Sequence, residues 1–196
     1  MSRLFRFTVA VAALAAPTLT LASTWEIDPA HTSAQFAVRH LVISTVRGQL
    51  GKVTGAITLD DTDLTKSSVD ATIDTQGIDT REAKRDENLR GPDFLDVAKY
   101  PTITFKSKQV EKVSDDTYKV SGDLTIRGVT KEVELDVQYA GVVTNPWGQQ
   151  VVGFSASTEL DREDFGMTWN AALETGGVLV GRKLKIEIEA EAVRQA

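Results

Sequence analysis

The 196-residue sequence has no cysteine. That excludes a disulfide scaffold, a thiol nucleophile, a cysteine–zinc site and a cysteine-ligated iron–sulfur cluster. Histidine is almost as scarce, with only His31 and His40. Their odd spacing would point them to opposite faces of one straight strand, which argues against a two-histidine metal site. Basic charge is in deficit: 22 Lys and Arg stand against 28 Asp and Glu, for a formal net charge of −6. Nucleic acid is therefore not the expected partner, because phosphate contacts need a basic field. Internal repeats, linkers and low-complexity stretches are also missing, which leaves one domain. With 41% hydrophobic and 26% charged residues, the chain is neither collagen-like nor disordered but ordinarily globular.

Only the N-terminus holds a hydrophobic run. Arg3 and Arg6 form a short basic start, Phe7 to Ala16 is apolar, and Pro17 interrupts it. Thr20-Leu21-Ala22 ends the run in small residues suited to cleavage. This order predicts a cleaved signal peptide over residues 1–22 and a domain over 23–196. The run is too short for a membrane span of roughly 20 residues. No cysteine follows for lipid attachment, and the two arginines are not adjacent, so the twin-arginine route is not expected. Loss of the leader removes two arginines and no acid, leaving 20 basic against 28 acidic residues and a charge of −8.

The remaining chain alternates apolar and polar residues, the pattern of half-buried strands. At the C-terminus Leu184, Ile186, Ile188 and Ala190 alternate with Lys185, Glu187, Glu189 and Glu191. The same pattern predicts strands near 32–40, 53–59, 68–74, 102–110, 117–126, 131–142, 150–160 and 183–193, with a ninth candidate at 25–28. Arg127-Gly128 reads as a tight hairpin turn and Asn145-Pro146-Trp147-Gly148 as a second reversal. Short turns between alternating strands predict an all-β, antiparallel barrel or sandwich. Shared parity places Phe36, Val38, Ile73, Phe105, Leu124, Leu135, Phe154 and Ile186 on its inner face.

One helix is expected at about 80–90, capped by Asp79 with Glu82 completing a capping box, and ended by Gly91-Pro92. Only Ala83 and Leu89 could pack, so the helix belongs outside the core or over an opening. Helical spacing puts Arg81, Arg85 and Asn88 on one face. The alternative is a solvated helix whose arginines pair with Glu82, Asp86 and Glu87.

Motifs for catalysis are weak. Ser155 in Gly153-x-Ser155-x-Ser157 lacks the last glycine and the following helix of a nucleophile elbow. Asp61-Thr62-Asp63 opens like a calcium loop but lacks the glycine and distal glutamate. Asp161 and Asp164 could do acid–base work, yet nothing distinguishes them among 28 acids. His40 shares parity with Phe36 and Val38 and should face inward, either hydrogen-bonded in the core or against a ligand. The long connection 161–182 is apolar, with Phe165, Met167 and Trp169, so it must cover either the end of the core or a bound ligand.

These residues bring out a family resemblance. Asp28-Pro29-Ala30-His31-Thr32-Ser33 through Phe36, Val38 and His40 resembles the opening signature of the YceI family. Arg85-Asp86, Leu89-Arg90 and the run Asp93-Phe94-Leu95-Asp96-Val97-Ala98-Lys99-Tyr100-Pro101-Thr102-Ile103-Thr104-Phe105 resemble its central signature. Gly122 to Ile126, Gly128 to Lys131, Pro146-Trp147-Gly148, Gly153 to Ala156 and Asp161 to Gly166 follow in the family's order. Asn88 and Arg127 stand where the family usually has histidine.

The resemblance implies a lipocalin-like, eight-stranded antiparallel barrel holding a lipid-like chain in its lumen. It implies export to the periplasm of Gram-negative bacteria and an association with polyisoprenoids. On this reading Phe36, Val38, Phe105, Phe154, Phe165 and Trp169 line the lumen. A ligand head group would meet His40, Arg81, Arg85, Asn88 and Arg90 at one mouth, since arginine forks suit phosphate. The expected partner is an isoprenoid-type lipid, a polyprenyl phosphate or a quinone-like molecule. Homodimerisation and a stress-related role stay open; no cofactor, metal or membrane-spanning segment is expected. Two alternatives remain: an enzyme acting on such a lipid, and a structural barrel whose lumen is filled by side chains.

Overall fold

The computed structural model describes residues 22–174 and 176–196. The predicted leader lies outside the described residues, apart from Ala22, which opens the first strand. Ten strands follow in order: β1 (Ala22–Ile27), β2 (Ser33–His40), β3 (Ser44–Gln49), β4 (Val53–Asp60), β5 (Ser68–Asp74), β6 (Thr102–Lys112), β7 (Thr117–Ile126), β8 (Val129–Thr144), β9 (Gln150–Asp161) and β10 (Val180–Arg194). Among the described residues there are also one helix, α1 (Ala83–Arg90), and two short 3-10 turns at Leu64–Lys66 and Arg162–Phe165.

All pairings are antiparallel, and β10 closes the sheet by pairing with β1 as well as β2. Ile27 faces Ala192 and Ser33 faces Glu189, so β1 and β2 lie end to end along one edge of β10. On the other side β2 pairs with β3 and β1 with β4. β1–β2 and β3–β4 thus act as two interrupted staves, and the ten segments make a closed eight-stranded barrel. Closure removes the free edges of an open sheet.

The interruption in the first stave is the Asp28–Thr32 segment. Asp28 accepts from the Ala30 N–H at 2.8 Å and from His31 Nδ1 at 2.7 Å. Asp28 N donates to the Glu191 carbonyl at 2.8 Å, and the Thr32 hydroxyl exchanges bonds with the Glu191 backbone at 3.2 Å. The opening motif therefore builds the junction where β10 changes partner. His31 is exposed and belongs to this turn.

β3 has no predicted counterpart. Its inward positions opposite Val38 and Phe36 are Val46 and Gly48, so the strand carries one apolar residue where alternation needs several. Gly48 has a packing reason: a Cβ there would come within 2.7 Å of the Phe36 ring. Arg127 and Gly128 have φ of 51° and 72°, the left-handed pair of a tight hairpin, as expected at that turn.

The helix begins later than predicted. Arg81 has φ 64° and stands outside α1, and Glu82 rather than Asp79 caps it. Asp79 instead accepts from the Arg81 N–H at 2.7 Å. Ala83 is exposed, Leu89 packs on the core, and Asp86 is the buried residue of the helix.

Two apolar clusters pack within the barrel. One closes the end near α1: Ile78, Leu95, Val97, Phe165 and Met167 from the connecting segments pack against Phe36, Ile103, Ile126 and Leu160. The other contains Trp25, Ile27, Ala34, Val53, Ile57, Leu59, Val152 and Ala192. The expected 161–182 connection is shorter, 162–179, because β10 starts at Val180; it and the central run contribute plugs, and Phe165 and Met167 cover the end of the core.

Candidate functional site

Between the clusters lies a cavity of about 200 Å³. Ile73, Phe105, Leu124, Leu135, Phe154 and Ile186 line it, all on the inner faces of their strands. Cross-strand register makes the wall continuous: Ile186 lies opposite Thr158, Val137 opposite Ala156, and Phe105 opposite Leu124. These side chains are half-buried because they bound a cavity instead of filling it. Gly122 makes room for the largest of them. A Cβ at that inner position would sit 2.7 Å from the Phe105 ring and 2.4 Å from the Lys106 carbonyl oxygen.

Toward the end opposite α1, the cavity adjoins a second depression of about 370 Å³. Leu59, Leu64, Tyr118 and Tyr139 line both spaces. Asp60 to Thr65 and Lys112 give the depression a polar rim. Tyr139 stacks against Phe154 with ring centroids 5.6 Å apart. Burial pushes the Tyr139 phenol pKa above its ordinary value. Asp60 turns its carboxylate into the adjacent backbone, accepting from Thr62 N and Asp63 N, each at 2.9 Å. The aspartates at 60–63 therefore shape a turn, and no group of metal-ligating residues occurs among the described residues.

Of the residues expected in the lumen, Phe105 and Phe154 line the cavity. Phe36 and Phe165 are buried in the closed-end cluster, and Val38 packs against that cluster. Trp169 is 37% exposed and stacks on Phe94 at 5.5 Å. The packing explains the difference: parity identifies the inner face but not the height at which the lumen gives way to a plug.

The expected head-group residues separate in the same way. Arg85 donates from Nε to the Thr80 hydroxyl at 2.7 Å and from Nη2 to the Thr80 carbonyl at 2.8 Å. Arg90 donates to the Gln76 carbonyl at 2.9 Å and the Ile78 carbonyl at 2.8 Å. Asp86, buried, accepts from the Thr80 N–H at 2.8 Å and from its hydroxyl. The polar helix is thus a clamp on the 76–80 connection, which accounts for its composition. In place of the alternative pairing with Glu82, Asp86 and Glu87, Arg85 and Arg90 bond the Thr80 hydroxyl and the carbonyls of that connection. Arg81 and Asn88 are exposed, and Arg81 does not share a helical face with Arg85 because it precedes the helix. His40 is half-buried at the end of β2, opposite Ser44 and Val180, and does not border the cavity. The α1 end is the plugged one.

Two structural arginines were not legible in the sequence. Arg162, 2% exposed, donates to the carbonyls of Gly181, Val180 and Met167. Arg127 reaches the carbonyls of Gly166 at 2.8 Å and Pro92 at 3.0 Å, joining the β7–β8 turn to both plug segments. Neither has a local pattern, since each bonds backbone far away in sequence.

The YceI-like domain matches residues 25–192, from β1 to β10. The chain belongs to the YceI-like family. A UPF0312 protein of Staphylococcus aureus is 39% identical over 165 residues, covering 84% of this chain and 94% of its own. The YCEI protein of Campylobacter jejuni has 31% identity and a TM-score of 0.68, covering 81% of this chain and 90% of its own. Burkholderia cenocepacia BcnA, at 21% identity, shares the fold with a TM-score of 0.74 over 84% of this chain and 98% of its own. So does a polyisoprenoid binding domain from Saccharophagus degradans, at 13% identity and a TM-score of 0.64, over 87% and 98%. This YceI-like chain is accordingly a closed antiparallel barrel of that family, and among its described residues no helix is long and apolar enough to cross a membrane.

Proposed function

We propose that this YceI-like protein is an exported carrier that holds a long apolar isoprenoid-type lipid in its lumen without altering it chemically. The cavity carries the reading, because its wall combines Phe105, Phe154, Leu124, Leu135 and Ile186 with no exposed polar surface. An apolar chain entering it gains roughly 25 cal/mol per Å² of buried apolar surface. A ligand longer than the lumen continues past Tyr118 and Tyr139 into the second depression. The solved polyisoprenoid binding domain of the same fold supports the ligand class. The basic, apolar, small-residue order of residues 1–22 supports export to the periplasm.

The deciding experiment is native mass spectrometry, with lipid extraction, of the protein purified from its own host. An added mass that the extract identifies as a polyprenyl phosphate or an isoprenoid quinone supports the carrier reading. Bare protein that fails to take up either lipid would favour the side-chain-filled barrel. Conversion of the added lipid to a new product would favour an enzyme.

A further inference from the structure

The turn between β2 and β3 breaks the usual chemistry of hairpins. Its three residues are Leu41, Val42 and Ile43, with exposures of 36%, 56% and 80%. Leu41 and Val42 have φ of 53° and 66°, the left-handed region that asparagine and glycine occupy at low cost. A β-branched valine there is strained. Val42 and Ile43 recover little of that cost within the molecule, since each is more than half exposed. The turn thus gives up stability to display apolar groups.

Charge along the hairpin differs from the rest of the chain, although Glu187 on β10 lies near Arg47. No aspartate or glutamate occurs from Pro29 to Leu59, in a chain with 28 acids. Arg39 and Arg47 are exposed on the hairpin, and Arg39 braces the turn by donating to the Val42 carbonyl and, at 3.1 Å, to the Thr45 hydroxyl. The neighbouring connection is bound to the turn: Leu41 N donates to the Leu179 carbonyl at 2.8 Å. It adds exposed Val178 and Trp169 to the same end, with Glu174 the one acid between Asn170 and Leu179. The barrel's opposite end also exposes apolar side chains, Val113, Val142, Val143 and Trp147, but there Asp115 and Asp116 occupy the β6–β7 turn and Asp61 lies near the mouth.

We propose that the β2–β3 turn is a membrane-contact finger, with Leu41, Val42 and Ile43 entering the interface of an anionic lipid bilayer and Arg39 and Arg47 meeting its headgroups. Apolar tips over a cationic neck are the chemistry of interfacial anchoring, and each basic residue near an anionic surface adds attraction. Trp169 suits the same boundary, with an apolar ring and a polar N–H. The inference goes beyond the lipid-carrier reading and is independent of what the lumen holds.

Vesicle flotation tests it, using the chain from Ala22, which contains every described element and lacks the apolar leader. The probes are phosphatidylcholine vesicles with and without phosphatidylglycerol. The unmodified chain should float with the anionic vesicles and much less with the neutral ones. Val42→Gly with Ile43→Ser should weaken that binding by about tenfold or more, as expected for removing two buried aliphatic groups. Its melting temperature should hold or rise, because glycine relieves the strain. Arg47→Gln should lower binding to anionic vesicles alone. Failure of the unmodified chain to bind, equal binding by the turn variant, or loss only on Trp147→Ser would overturn the proposal. So would a turn variant that loses only self-association or a protein partner. Lumen lipid extracted from the same preparations should not change with the turn variants, so failure of the finger and failure of the carrier reading are separable.

Discussion

The Nε of Arg162 donates to the carbonyl oxygen of Gly181 at 2.9 Å, inside a site where the arginine is 2% exposed. The same guanidinium reaches the carbonyls of Val180 and Met167, so one side chain ties the plug segment to the start of β10. Burial pushes its pKa down while Glu163 and Asp161 push it back up, and it stays charged. Arg162→Met keeps the bulk and removes the donors. The expected loss is at least about 2 kcal/mol, from carbonyls left without partners. Denaturant unfolding measures it, and an unchanged midpoint would mean that water replaces the arginine without cost.

Filling the lumen should block binding without unfolding the barrel. Ala156 lines the cavity opposite Val137, so Ala156→Phe projects a ring into open space. Stability should stay within about 1.5 kcal/mol, since an existing void is being filled. Uptake of an isoprenoid quinone, followed by fluorescence quenching, should fall sharply. Undiminished uptake by a folded variant would move the site out of the lumen.

Gly122→Ala tests the fit of Phe105. The added methyl would press on both the ring and the Lys106 carbonyl, and backbone cannot yield as a flexible side chain does. A loss of about 1–3 kcal/mol in thermal or denaturant unfolding is expected.

The α1 arginines should act on stability before they act on any ligand. Arg85→Ala frees the Thr80 carbonyl and Arg90→Ala those of Gln76 and Ile78, and each should cost about 1 kcal/mol or more. Exposed Arg81→Ala should stay within about 0.5 kcal/mol. Calorimetry separates these outcomes. A fully stable Arg85→Ala that discriminates a polyprenyl diphosphate from a quinone would restore the head-group role to the helix.

Acid should loosen the same clamp. The Thr80 hydroxyl and N–H, with Arg90 and Arg85 nearby, hold the Asp86 carboxyl below the usual carboxylate range against its desolvation. Its folded pKa is depressed, so its contribution to stability is complete above the unfolded value of about 3.9 and fades as pH falls through the folded value. Melting temperatures of the unmodified chain and Asp86→Asn should converge as pH drops below about 4. A gap that persists at the lowest pH would assign the effect to packing.

Much of the barrel was legible because inner and outer faces alternate with period two, and that period is written locally along each strand. Eight strands, the Arg127-Gly128 turn and a polar helix outside the core follow from such local patterns. β3 was not legible, because Val46 and Gly48 leave its inner face almost without apolar signal. Parity also placed Phe36 and Phe105 on one face, yet one became part of a plug and the other part of the cavity wall. That distinction depends on position along the barrel axis, which strand register and the connecting segments set together.

The sequence by itself determined the family, the β periodicity and an apolar interior, since each is carried by residue type and near spacing. Only the tertiary structure decided which end is closed and what the helix arginines hold. It also decided where the apolar wall stops. Those depend on side chains meeting backbone many residues away, as Arg127 meets Gly166 and Arg162 meets Gly181. No local pattern records such a meeting, because a guanidinium satisfied by distant carbonyls is identical in sequence to one left free in water.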